Sequence, residues 1–426
     1  MSNEHSPPDI PRPDGLDLGP FVGLRYAPQS VDLGRVLAPP YDVIDAAARD
    51  RLLALEPHNV VRLTLPDDGP GYSSATRLLA QWRADGVLAP ERSSAVYVYE
   101  QTVDGHVQRG LVGALGLTPA EDGIVLPHEN TMAGPVADRL ALTAATRANL
   151  EPIFLVYDGG GEATRAVGAA DEQPPIADAA DPDGGRHRLW AISDPAELAA
   201  IAEDLAPRRA VIADGHHRYA TYLQYQRDQH AAGAGAGPWD RGLAFLVDAG
   251  SFGPQVHAIH RVVPGLPVDR AVDLAAAAFR VTPIENVARL AAAASTGPAF
   301  VISDGERHWL LTDPDPDALA AALPADRSDA WRSLHVSVAH GLLFSQVWHL
   351  EDREGIVDFV HDEPTALAQA AASGGTAVLL APTPVAAVAA VAAAGERMPR
   401  KSTLFVPKPA TGMVIRAFAD QPVRSG

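Results

Sequence analysis

The stretch Arg209-Ala-Val-Ile-Ala-Asp-Gly-His-His-Arg-Tyr-Ala-Thr-Tyr-Leu-Gln-Tyr-Gln226 decides how the rest of the chain is read. Ala210 to Ala213 is a short apolar run and predicts a buried strand. Asp214-Gly215 is a turn signal, and a helix is predicted from about His217. A strand that hands over to a helix through glycine presents backbone N–H groups at a helix N-terminus, where the helix dipole favours an anion. Gly215 permits close backbone approach, and Arg218 has the forked guanidinium that suits phosphate oxygens. Asp214 can take a divalent cation or a proton, and His216 and His217 can donate to a phosphoryl group or move protons. The turn reads as one built to handle phosphate.

Working outward, alternating strand and helix patterns predict an α/β (α+β) chain. Residues 1–20, rich in proline and acidic residues, read as a disordered tail rather than a signal peptide. A mixed-sheet N-terminal domain, the catalytic one, is expected over 21–264, and a smaller Ala-rich α/β region over 265–426 completing the cleft. Within the first, Asp45 is the expected N-cap of a helix to Leu55, and 59–65 reads as a strand. An amphipathic helix is expected at 72–85, and a hairpin closes at Asp104-Gly105. Residues 136–149 read as helix, and 159–184 as a surface excursion. No repeat is evident.

Composition narrows the function. A net charge of −19 opposes non-specific nucleic-acid binding and an anionic membrane surface. The absence of cysteine removes disulfides, thiolate metal sites and cysteine nucleophiles. The apolar run 377–394 is broken by Pro382 and Pro384, so it predicts strand, turn and helix rather than a membrane span. A cytoplasmic protein is expected, with a small-molecule substrate and, at most, a second copy of itself as partner. Of 34 basic side chains only two are lysines, Lys401 and Lys408, both near the C-terminus.

Further polar groups join the candidate site. His128-Glu129 follows Pro127, and it is no zinc-protease motif because position 132 is Met; the pair suits a general base and a donor. Tyr41-Asp42 is aimed by the stiff pair Pro39-Pro40. Asp138, Arg139, Arg147 and Asn149 follow on the next helix, where Arg139 and Arg147 stand two turns apart and suit an anionic substrate. Lys401, Ser402 and Thr403 could reach an anion, although no Walker loop or dinucleotide-binding glycine pattern is present.

In order along the chain, Leu37-Ala-Pro-Pro-Tyr-Asp-Val-Ile, His58-Asn-Val-Val-Arg, Leu126-Pro-His-Glu, Asp138-Arg-Leu, Thr146-Arg-Ala-Asn, Ile212-Ala-Asp-Gly-His-His-Arg-Tyr and Met398-Pro-Arg-Lys-Ser-Thr resemble domain-of-unknown-function family 1015. The Asp214–Tyr219 turn alone resembles the ParB/sulfiredoxin-type fold, whose members bind nucleotide phosphates there and include kinases of free serine. That resemblance implies a phosphotransferase acting on a small polar metabolite, with free L-serine first among them. ATP, ADP or pyrophosphate would be the donor, and Mg²⁺ (or Mn²⁺) would sit on Asp214 and Asp42. Glu129 would take the hydroxyl proton, and Arg139 and Arg147 would grip a substrate carboxylate. A phosphatase using the same parts and a non-catalytic nucleotide-binding regulator are the alternatives.

Overall fold

A computed structural model describes residues 13–68, 71–350 and 355–422. The chain divides into two compact units, Met1–Pro254 with Pro407–Gly426, and Gln255–Val406. The second unit begins at Gln255 and ends at Val406, and the stretch from Pro407 returns to the first unit. Residues 1–12 of the expected tail lie outside the described residues.

The first unit is built on a nine-stranded mixed sheet. Its strands are β1 (Leu18–Gly19), β2 (Val96–Val103), β3 (His106–Gly116), β4 (Val125–Leu126), β5 (Ile153–Tyr157), β6 (Ala177–Ala180), β7 (Arg186–Ile192), β8 (Ala210–Asp214) and β9 (Arg241–Asp248). They lie in the order β4-β8-β5-β9-β3-β2-β7-β6, with β1 on β3. The β8–β4 and β9–β5 pairs are parallel and the others antiparallel. The hairpin β2–β3 turns at Asp104-Gly105 as its sequence requires. Strand β8 has neighbours on both sides, and all of it is buried, which explains a continuous apolar run instead of an alternating one.

The helices that shape the site are α1 (Ala46–Leu55), α2 (Ser73–Ala84), α3 (Ala133–Thr146), α4 (Glu162–Ala169), α5 (Pro195–Leu205) and α6 (His216–Ala231). Asp45 caps α1 through Ala48 N–H, and Leu79 and Trp82 of α2 face inward. Helix α6 buries Tyr219, Tyr222 and Tyr225 along one stripe. Two of these hydroxyls reach backbone carbonyls: Tyr219 donates to Thr118 O and Tyr222 to Glu151 O.

Three expectations are corrected. Residues 13–20 are ordered, because Leu16 and Leu18 are buried in the sheet's core and β1 pairs with β3. Residues 59–65 form a helical turn, Val61–Thr64, rather than a strand. The cause is the fully buried Asn59 side chain, which donates to the carbonyls of Arg35 and Leu37 and accepts from Val61 N–H. The segment 159–184 contributes α4 and the edge strand β6 instead of a surface loop. Ala163, Ala166 and Val167 of α4 face the core at helical spacing.

The second unit carries a six-stranded sheet, entirely antiparallel, with Ala-rich helices such as Glu363–Ser373 and Val385–Ala393. The run 377–394 divides into strand Thr376–Leu380 and helix Val385–Ala393. Among the described residues no helix is long and apolar enough to cross a membrane.

Candidate functional site

Strand β8 shifts register between Ile212 and Asp214, and this irregularity turns the Asp214 carboxylate toward the head of α6. Gly215 follows at φ +92°, a left-handed conformation that disfavours any side chain. A Cβ there would also meet the Arg218 guanidinium at 3.1 Å. Helix α6 then starts at His216, so the predicted strand–turn–helix is present with its helix one residue earlier.

Arg218 is not the open phosphate fork suggested by its sequence. It is 3% exposed; Nη2 donates to Asp214 and Nη1 to Pro152 O, and Nε is buried without a hydrogen-bond partner. Burial pulls its pKa down. The carboxylates of Asp214, Glu151 and Asp42 outweigh that and hold it above the ordinary guanidinium value. Arg218 is therefore a permanently charged brace under the turn, with both terminal nitrogens bonded to the protein.

The two histidines are likewise engaged. The backbone N–H groups of His128 and Glu129 donate to His216 Nε2 at 3.2 and 3.3 Å, and Met132 N–H donates to His217 Nε2 at 3.0 Å. An imidazole nitrogen that accepts carries no proton, so both rings stand as Nδ1–H tautomers. Burial, with Asp42 opposing it, keeps the His217 pKa below the ordinary imidazole value. In this way α6 holds the loop 127–132 by its backbone. His128 is buried edge-on to His216, with ring centroids 4.6 Å apart, while the Glu129 carboxylate is 42% exposed. Its Oε1 lies 4.0 Å from His128 Nε2.

Two groups not nominated as site residues from the sequence complete the cluster. Lys408 Nζ lies 2.5 Å from Asp214 Oδ1 and 3.5 Å from Asp42 Oδ2. The signal for it was there: lysine is scarce in this chain. Glu151 is buried; its Oε1 accepts from Tyr41 N–H at 2.9 Å and from Thr411 Oγ1 at 3.3 Å. Burial raises its pKa, and Arg218 and the Tyr41 amide moderate the rise. Only its neighbourhood in space marks it out. A cavity of about 20 Å³, enough for a single water, lies among Arg139, Thr143, Glu151, Arg218 and Tyr222.

The other predicted residues separate. Tyr41 lies under the Arg139 guanidinium at 4.3 Å, and burial pushes its hydroxyl up to about 12. Arg139 is buried and bonded to Asp138 and to Thr64 O, and Asp138 also accepts from Tyr72. Arg147 is exposed at the far end of α3, in the left-handed conformation that ends the helix, about 12 Å along the axis from Arg139. The expected Arg139–Arg147 clamp is thus corrected: the Arg139 guanidinium is internal, whereas Arg147 is exposed and ends the helix through its backbone N–H. Asn149 accepts from Leu243 N–H and from Arg416, an internal contact. Lys401, Ser402 and Thr403 belong to the second unit. There Lys401 is exposed at φ +55°, its carbonyl accepts from the buried Arg261, and Ser402 donates to Pro399 O.

The donor set for a divalent cation at Asp214 and Asp42 does not fit. One Asp214 oxygen accepts from Arg218 and the other faces Lys408, which also faces Asp42. Among the described residues no three His, Asp or Glu side chains gather as metal ligands.

The family described as "Protein of unknown function (DUF1015)" matches residues 18–337, three quarters of the chain. The chain belongs to the DUF1015 family. Solved structures similar to it include a point mutant of a free serine kinase in complex with AMP. That likeness has 14% identity, covers 68% of this chain and 88% of that one, and has a TM-score of 0.34. A second point mutant of a free serine kinase, also in complex with AMP, gives 13% identity, 75% and 92% coverage and a TM-score of 0.35. SbnI with C-terminal truncation from Staphylococcus aureus gives 10%, 71% and 86%, and 0.33. No curated protein matches this DUF1015 chain.

Proposed function

We propose that this DUF1015 protein is a phosphotransferase acting on a small polar metabolite. The observation that carries the reading is the cluster at the head of α6. There the helix begins with its first-turn backbone N–H groups, Lys408 stands against Asp214, and His216 and His217 are bonded to the backbone of the loop that carries the half-exposed Glu129 carboxylate. Phosphoryl transfer asks mainly for positioning and charge neutralisation, which such a cluster supplies. The donor phosphates would lie on the turn amides and Lys408, with Arg218 bracing the turn from beneath. The acceptor hydroxyl would attack the terminal phosphorus and give its proton to Glu129, as the bond to the leaving phosphate oxygen breaks. Free L-serine is the acceptor to test first, on the resemblance of the Asp214–Tyr219 turn, with ATP, ADP or pyrophosphate as donor.

The engagement of Arg218 within the protein favours a second reading, a nucleotide-binding regulator without turnover. One experiment separates the two: the protein is incubated with Mg²⁺, serine and each donor in turn, and phosphoserine is sought by ³¹P NMR. Phosphoserine supports the transferase. Binding of a donor without any phosphoserine supports the regulator, and no binding of any donor sinks both.

A further inference from the structure

The charge between Asp42 and Asp214 is part of the chain. Lys408 lies in the stretch that returns to the first unit, and its ammonium stands within contact of both carboxylates. These are the two side chains that sequence reading nominates for a divalent cation. The remaining Asp214 oxygen is taken by Arg218. An ammonium and a metal ion compete for the same lone pairs, and Mg²⁺ accepts little departure from six oxygens at about 2.1 Å. A lysine placed between the carboxylates fills that position and repels a second cation. Its identity fits: this chain uses 32 arginines and two lysines. An arginine fork would spread its charge over a plane, where a compact ammonium fits between two carboxylates.

We propose that Lys408 is the built-in cation of this site. Its ammonium stands where the sequence places a metal, holds Asp42 toward Asp214, and keeps the pair from binding a divalent ion. This deepens the proposed function by making the fixed positive charge at the anion site a side chain, and only the anion's part in it rests on that reading. Without the ammonium, Asp214 Oδ1 and Asp42 Oδ2 have open lone pairs, and Arg218 offsets only part of the pair's negative charge. Removal of Lys408 should therefore create a metal site.

The test is Mn²⁺ binding to the full chain followed by electron paramagnetic resonance, in the absence of nucleotide. Wild-type protein is expected to show no Asp42-dependent site tighter than about 1 mM. Lys408→Met should gain one equivalent bound at least about ten-fold more tightly, and Lys408→Met/Asp42→Asn should lose it again. Circular dichroism confirms that each variant is folded, and Lys408→Gln replaces Lys408→Met if the latter is not. A wild-type Mn²⁺ site that Asp42→Asn weakens ten-fold overturns the proposal, whatever the lysine variants do. So does the absence of any gain in a folded lysine variant. Pyrophosphate titration in EDTA is run alongside: if wild type binds none, the functional reading fails, while the Mn²⁺ result still judges Lys408.

Discussion

Replacing Arg218 by Met removes the brace under the turn while keeping much of its volume. The guanidinium is buried, bonded to Asp214 and Pro152 O, and close enough to Glu151 to moderate the rise that burial causes in that carboxyl. Deleting one partner of a buried charge pair costs about 3–5 kcal/mol, mostly because the other charge is left without compensation. Here Asp214 keeps Lys408 at 2.5 Å, so the lower end, about 3 kcal/mol, is expected. With a urea m-value of about 2–3 kcal/mol/M for a unit of this size, the unfolding midpoint should fall by roughly 1–1.5 M. The Arg218→Met/Asp214→Asn variant should recover part of the loss, with an interaction energy of about 1–3 kcal/mol. A midpoint shift for Arg218→Met below about 0.3 M would refute the brace and return Arg218 to the phosphate-holding role that its sequence suggests.

Glu129→Gln should lower phosphoserine turnover by about 100-fold or more while the donor KM stays within a few-fold; full turnover would reduce Glu129 to a loop residue. Leu16→Ala should cost about 2–4 kcal/mol by urea denaturation, because Leu16 is 1% exposed in the sheet's core; a loss within error would place residues 13–20 outside that core. In the second unit, burial and the neighbouring Arg261 lower His260 to about 4 and His340 to about 3, with Arg400 also acting on His340. Unfolded histidine titrates near 6.5, so between that pH and those values the unfolded chain binds more protons than the folded one. The second unit should keep its stability above about pH 6.5 and lose it progressively as the pH falls toward 4 and then 3. A denaturation midpoint that stays flat from about pH 6.5 to 4.5 would show that these histidines are protonated in the fold.

Local chemistry made the backbone of the candidate site legible from residues alone. The apolar run before Asp214, the left-handed Gly215 and the helix beginning beside it are all decided within a few residues, by steric limits and turn propensity. The same holds for the hairpin at Asp104-Gly105 and the Asp45 cap. Where a partner lay far along the chain, local reading failed. Asn59 makes a helical turn because it reaches the carbonyls of Arg35 and Leu37, and Leu16 and Leu18 are ordered because the end of β3 pairs with β1 and the sheet's core buries both side chains. The side-chain roles at the site were decided almost wholly in three dimensions. Arg218, read from the sequence as a fork for phosphate oxygens, is buried because Pro152 O and Asp214 accept from its two terminal nitrogens. His216 and His217 accept from the loop before α3, and Lys408 arrives from far downstream to sit between the two carboxylates. A sequence states which charges are available. Which of them neutralise one another depends on distance and burial, and only the folded chain sets those.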